Sequence, residues 1–224
     1  MSFLYYYVMQ IQPLHLIFPA VETANKEGIL AYGGDLSVER LLLAYQNGIF
    51  PWLNPEEPIL WWAPPRRMVL FPKDFVPSKS LQKTIDKGIF KVTFNKHFET
   101  VIRSCAVTKR KGQHGTWISE DMVSAYVELH KFGFAKSVEV WKNNEIVGGL
   151  YGIDLGHVFC GESMFTKTSN ASKVGFAWLV HYLNTNNYKL LDCQVHNQHL
   201  QSLGCIEIDR KRFMEILTGQ ILEN

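Results

Sequence analysis

The sequence predicts an α+β fold in which a small N-terminal lobe packs on a larger C-terminal sheet domain. Three observations carry this. The first third is crowded with turn residues and aromatics, Gly33-Gly34-Asp35, Gly48 to Trp52 and Pro58 to Arg67 among them. From Val69 onward strand and helix patterns alternate. Three strand patterns then follow one another through tight turns and lead into a helix and an apolar strand. A chain of 224 residues that is 46% hydrophobic and 20% charged has enough apolar material for a proper core. The proline cluster interrupts any regular element near Pro65, so the expected division is 1–65 for the lobe and 66–224 for the sheet domain.

The elements are justified in order. Met1 to Phe18 is apolar and aromatic, yet it lacks a basic start and a small-residue cleavage site and is broken by Gln10, Gln12 and Pro13; a strand or packing arm is expected. Ser37 can cap a helix running to Asn47, with Leu41, Leu42 and Tyr45 on its buried face and Gly48 to end it. Ser80 to Lys87 and Asp121 to Phe132 read as helices, the second striped by Met122, Tyr126, Leu129 and His130. Strands are expected at Ser137 to Trp141, Glu145 to Ile153 and His157 to Ser163, turned by Lys142-Asn143-Asn144 and Asp154-Leu155-Gly156. A helix from about Ala171 to Asn184, a buried strand from Tyr188 to Val195, and a last short helix and strand complete the chain. Meander, helix, strand, helix is the order of an acyltransferase domain of the N-acetyltransferase (GNAT) type.

Composition excludes several classes. The four cysteines, Cys105, Cys160, Cys193 and Cys205, form no CxxC pair, which argues against a zinc knuckle or a disulfide scaffold and for a reducing, cytoplasmic setting. No stretch approaches the ~18 apolar residues of a membrane span. A net charge of +2 does not announce nucleic acid, so any such claim rests on local patches.

Five constellations can carry chemistry. An acetyl-CoA enzyme of this order needs a glycine-rich loop where the helix after the meander begins, but Phe165 to Lys173 contains no glycine. The fold is expected without that cofactor. Asp192 and Gln194 stand two apart at a strand end, where a carboxylate and an amide can relieve an amine of its proton and hold it; a hydrogen-bonded cap of the next loop is the commoner meaning. Glu162 on the neighbouring strand is similarly open between chemistry and structure. Cys193, His196 and His199 have ligand-like spacing but no fourth partner cluster, so no metal is expected. Phe176, Leu179 and Leu183 form a helix stripe facing Leu150, Phe159 and Leu191, which is ordinary core unless a cavity is left between helix and sheet. Finally Trp52, Trp61, Trp62 and Trp117 occur with Arg66, Arg67, Lys109, Arg110, Lys111 and His114, a mixture that suits either lobe packing beside a solvated loop or the stacking of an unpaired RNA end with phosphate contacts from Arg67, Lys109 and Arg110.

Seven segments in order are similar to one family. Gly33 to Ser37, Gly48 to Trp52, Ile59 to Trp62, Gly115 to Ile118, Ser137 to Trp141, Gly161 to Phe165 and Asp192 to Val195 resemble leucyl/phenylalanyl-tRNA–protein transferase, from about Phe18 to Phe213. The resemblance implies a transferase that moves Leu or Phe, and less well Met, from aminoacyl-tRNA to the N-terminal Arg or Lys of acceptor proteins, marking them for N-degron degradation. It implies Asp192 and Gln194 as the catalytic pair with Glu162 beside them, and Trp52 and Trp117 around the tRNA 3′ adenosine with help from Tyr45 and Tyr126. It implies an amino-acid pocket of Leu150, Phe159, Phe176, Leu179, Leu183 and Leu191. Because the aminoacyl ester is already activated, neither metal nor other cofactor is expected. The rival expectations are a CoA-dependent N-acetyltransferase and a catalytically inactive RNA-binding module.

Overall fold

The computed structural model describes residues 9–11, 15–52, 57–108 and 118–219. The fold class is α+β, with a four-stranded sheet in the N-terminal lobe and a seven-stranded sheet in the larger body. The lobe holds β1 (Met9–Ile11), β2 (Ile29–Gly33), β3 (Phe50–Trp52) and β4 (Leu60–Trp62), ordered β1-β2-β4-β3, with α1 (Val38–Gln46) alongside. Ser37 caps α1 by accepting from the Arg40 amide. Gly48, at φ +70°, turns the chain toward β3 where a Cβ would meet Met214 and Phe213.

The larger sheet begins at β5 (Arg66–Leu70) and includes β6 (Lys91–Phe94), β7 (Ala135–Lys142), β8 (Glu145–Asp154), β9 (Val158–Thr166), β10 (Leu190–Asp192) and β11 (Ile206–Asp209), in the order β11-β5-β10-β9-β8-β7-β6. The expected meander is β7-β8-β9, turned at Asn143 and Asn144, both at positive φ as a tight hairpin of this hand requires. Helix α2 (Lys79–Asp86) and helix α4 (Glu120–Lys131) match the sequence patterns, while α3 (Phe98–Ala106) and α7 (Arg210–Leu217) were not expected from sequence. Helix α5 (Ala171–Thr185) lies on one face of the sheet, and α3 and α4 lie on the other. The two apolar layers differ accordingly: Leu150, Phe159 and Leu191 pack against Phe176 of α5, whereas Tyr151, Val158 and Leu190 join the core shared with the lobe. No helix among the described residues is long and apolar enough to cross a membrane.

One departure from the sequence expectation positions the site. The strand predicted from Tyr188 to Val195 is only Leu190–Asp192. It pairs in parallel with β9 up to Asp192 opposite Cys160, and there the ladder stops. Beyond it, the Cys193 amide donates to the Met68 carbonyl and the Met68 amide donates to the Gln194 carbonyl, so two residues stand opposite one as in a bulge. Gln194 takes φ +63°, a conformation a β strand does not contain. The two parallel strands therefore part beyond Asp192 and Cys160, at the C-terminal end of β10 and partway along β9, where Glu162 and Gln194 are found. The next segment, α6 (Gln198–Gln201), is capped by Asn197.

Candidate functional site

The splay opens a cavity of about 450 Å³ walled by β8, β9, α5 and the segment after β10, with the lobe's β3 at its edge. That volume suits a small organic group. Leu150, Phe176, Leu179 and Leu191 line it as expected. Phe159 and Leu183 do not; they belong to the same apolar cluster without bordering the cavity. Met164, Tyr151 and Leu200 line it without having been singled out from sequence. Tyr151 lies within a strand expected from sequence and Met164 one residue past the end of another, and only their register says which face they take.

Glu162 and Gln194 belong to the polar part of the wall, together with Ser163, Asn197 and His199. The Gln194 amide Nε2 donates to Glu162 Oε1 at 2.6 Å, and the Tyr126 hydroxyl donates to Glu162 Oε2 at 3.3 Å. Behind Glu162 the hydroxyls of Tyr45 and Tyr126 hydrogen-bond to each other. Burial raises the Glu162 carboxyl to about 7; hydrogen bonds from Tyr45, Gln194 and Tyr126 oppose the rise and the nearby Asp192 charge adds to it. A carboxyl so placed changes protonation near neutral pH, which is what a group that accepts and returns a proton needs. Burial, reinforced by the Glu162 charge, pushes both tyrosines well up, so they serve as neutral donors.

Asp192 sits one layer deeper. Its side chain is 0% exposed, and both of its oxygens accept from Arg67, Oδ1 from Nε at 2.8 Å and Oδ2 from Nη2 at 2.7 Å. Oδ1 also accepts the backbone N–H of Gln194 at 2.9 Å. Strand alternation is thus not what brings Asp192 and Gln194 together. The left-handed residue after Cys193 does, with the Asp192 carboxylate bonding its backbone.

Several expectations are corrected by burial. Arg67 cannot reach a tRNA phosphate, because it is 2% exposed and its guanidinium is spent on Asp192 and on the Gly48 carbonyl, 3.0 Å from Nη1. Burial opposes its charge, but the Asp192 carboxylate more than offsets this and holds the group above its ordinary range. Tyr45 and Tyr126, at 1% and 0% exposure, have no free ring face to stack on an adenosine. Trp61 is likewise buried in the lobe, its indole N–H donating to Gly33. Trp52, by contrast, lies at the cavity edge with Trp62 6.5 Å away. Trp117, Lys109 and Arg110 lie outside the described residues.

Among the described residues no three His, Cys, Asp or Glu side chains are grouped as metal ligands would be. Cys193 instead faces Cys205 at 3.7 Å between sulfurs, and His196 contacts Gln201. The hydrogen bond to Cys205, together with burial, pushes the Cys193 thiol well up, and burial does the same to Cys160, so neither is an activated nucleophile.

Comparison with known proteins points to one family. A family model described as leucyl/phenylalanyl-tRNA protein transferase matches residues 69–218, and the model of that family's N-terminal domain matches residues 34–65. A leucyl/phenylalanyl-tRNA–protein transferase of Flavobacterium johnsoniae is 65% identical, the match covering 92% of this chain and 97% of that protein. Its counterpart in Thermodesulfovibrio yellowstonii is 54% identical over 90% of this chain and 82% of its own. Among solved structures, a GCN5-related N-acetyltransferase-like protein of Streptococcus suis is similar at TM-score 0.35 and 16% identity, covering 63% of this chain and 59% of that one.

Proposed function

This chain belongs to the leucyl/phenylalanyl-tRNA protein transferase family and is an aminoacyltransferase, and from that premise we propose that it transfers leucine or phenylalanine, and methionine less well, from aminoacyl-tRNA to an N-terminal Arg or Lys of cytoplasmic acceptor proteins. The single observation that carries the chemistry is the Glu162–Gln194 pair on the wall of a cavity that Leu150, Phe176, Leu179 and Leu191 also line. The apolar part suits a Leu or Phe side chain and offers a polar one no partners. The product is read as a degradation signal.

The acceptor's α-amine attacks the ester carbonyl, a C–N bond forms, and the bond from carbonyl carbon to the tRNA 3′ oxygen breaks. Gln194 gives its Nε2 to Glu162, which leaves Oε1 to accept from the amine and aim its lone pair. Glu162, ionised in about half the molecules near pH 7, takes the proton the amine loses and returns it to the departing 3′ oxygen. Asp192, sealed against Arg67, acts through Gln194 rather than as the proton acceptor. Trp52 at the cavity edge supplies a face for the 3′ adenosine, with Trp117, Lys109 and Arg110 retained as sequence-based contacts for adenosine and phosphates. The division at 65/66 is supported by the change of sheet between Trp62 and Arg66.

The test is to incubate the protein with an Arg-starting peptide and either labelled Leu-tRNA or labelled acetyl-CoA. Label is expected on the peptide from Leu-tRNA. Transfer from acetyl-CoA alone would establish the rival enzyme, and binding of tRNA without transfer the inactive module.

A further inference from the structure

The Arg67 guanidinium is held by groups from distant parts of the chain. Besides both Asp192 oxygens and the Gly48 carbonyl, the rings of Phe50 and Phe213 lie 4.8 and 4.5 Å from its central carbon. These partners reach into both halves of the site. Asp192 Oδ1 holds the backbone of Gln194, and Gly48 and Phe50 lead into Trp52, which also lines the cavity. As a source of stability alone, such a pair is a poor choice, because the desolvation of two buried charges offsets most of their attraction and an apolar pair of similar volume serves as well. An apolar pair cannot, however, aim a carboxylate oxygen at the Gln194 amide or fix the Gly48 carbonyl in direction. The left-handed backbone of Gln194 is costly for a non-glycine residue and needs such an anchor.

We infer that Arg67 is a positioning residue for the transfer reaction: by clamping Asp192 and Gly48 together it sets Gln194 against Glu162 and sets that pair at a fixed distance from Trp52. The inference rests on the transfer reading above. Arg67 touches no substrate; it acts through Asp192 on the amine and through Gly48 on the adenosine edge.

The test uses the full chain with Arg67→Lys, Asp192→Asn and the double variant Arg67→Met/Asp192→Asn, which buries no unpaired charge and so remains foldable. Turnover, KM, the urea midpoint and binding of a non-hydrolysable 3′-leucylamido-adenosine are measured. Arg67→Lys keeps the charge but loses the two-point grip, so turnover is expected to fall about 100-fold while KM for the peptide stays within about threefold. The double variant is expected to turn over within about threefold of Asp192→Asn, since Arg67 acts on the chemistry through Asp192, yet to bind the adenosine analogue about tenfold more weakly because the Gly48 tie is gone. A folded Arg67→Lys with wild-type turnover overturns the inference, as do losses that multiply in the double variant or analogue binding that does not change in it. Turnover that merely follows the urea midpoint across the set shows a structural role and overturns it too. Wild-type protein that transfers no leucine would instead sink the transfer reading, and this inference with it.

Discussion

Glu162→Gln exchanges a carboxyl for an amide of equal size on the cavity wall, so it separates charge from shape. With the carboxyl at about 7, ionised Glu162 makes up about a tenth of molecules at pH 6 and about nine-tenths at pH 8. Wild-type turnover should therefore rise about tenfold between those pH values if the ionised form is the base. In Glu162→Gln the limb should vanish and the plateau should fall by about 100-fold or more, the usual worth of a positioned base. Stability gives an independent reading with a defined sign. The folded protein holds this proton more tightly than the unfolded chain, so its contribution is fully present below about 4.5 and is lost as pH rises through about 7. The gap from 4.5 to about 7 corresponds to about 3 kcal/mol of destabilisation once the group is ionised. Glu162→Gln escapes it. Urea unfolding should show the variant gaining on wild type by up to about 3 kcal/mol between pH 5 and pH 8. Turnover that keeps its acidic limb in the variant, or a stability difference that does not change with pH, would refute the assignment.

Other outcomes follow from the remaining walls of the site. Phe176→Asp places an unpaired carboxylate in the apolar half of the cavity, and it should raise KM for Leu-tRNA far more than KM for the peptide; equal losses in a folded variant would make the residue ordinary core. Trp52→Ala should weaken both an aminoacyl-adenosine analogue and whole tRNA by about 1–3 kcal/mol, as measured by titration. Lys109→Ala and Arg110→Ala should weaken whole tRNA only and flatten its dependence on salt, so an unchanged salt slope would remove them from the phosphate path.

Much of the site was legible before folding because the family segments contain it, but legible unevenly. Glu162 and Gln194 were found from sequence and meet at 2.6 Å. Four of the six pocket residues, those at 150, 176, 179 and 191, reach the cavity, since helix and strand periodicity says which face a side chain takes. Periodicity does not say which side chains of one apolar cluster border an opening, and Phe159 and Leu183 do not. Arg67 shows the same difficulty with charge. An arginine beside tryptophans reads as a phosphate ligand, and only a carboxylate 125 positions later makes it a buried anchor.

Sequence by itself determined the α+β class, the capped helix after Ser37, the β7-β8-β9 meander with its asparagine turn and the family, because caps, turns and periodic stripes are set by neighbours a few residues apart. The tertiary structure alone decided that β10 stops at Asp192, that Tyr45 and Tyr126, 81 positions apart, meet behind Glu162, and that Glu162 faces the cavity while Asp192 is sealed. Burial and protonation are properties of what packs across a sheet or between lobes, and those partners come from distant parts of the chain.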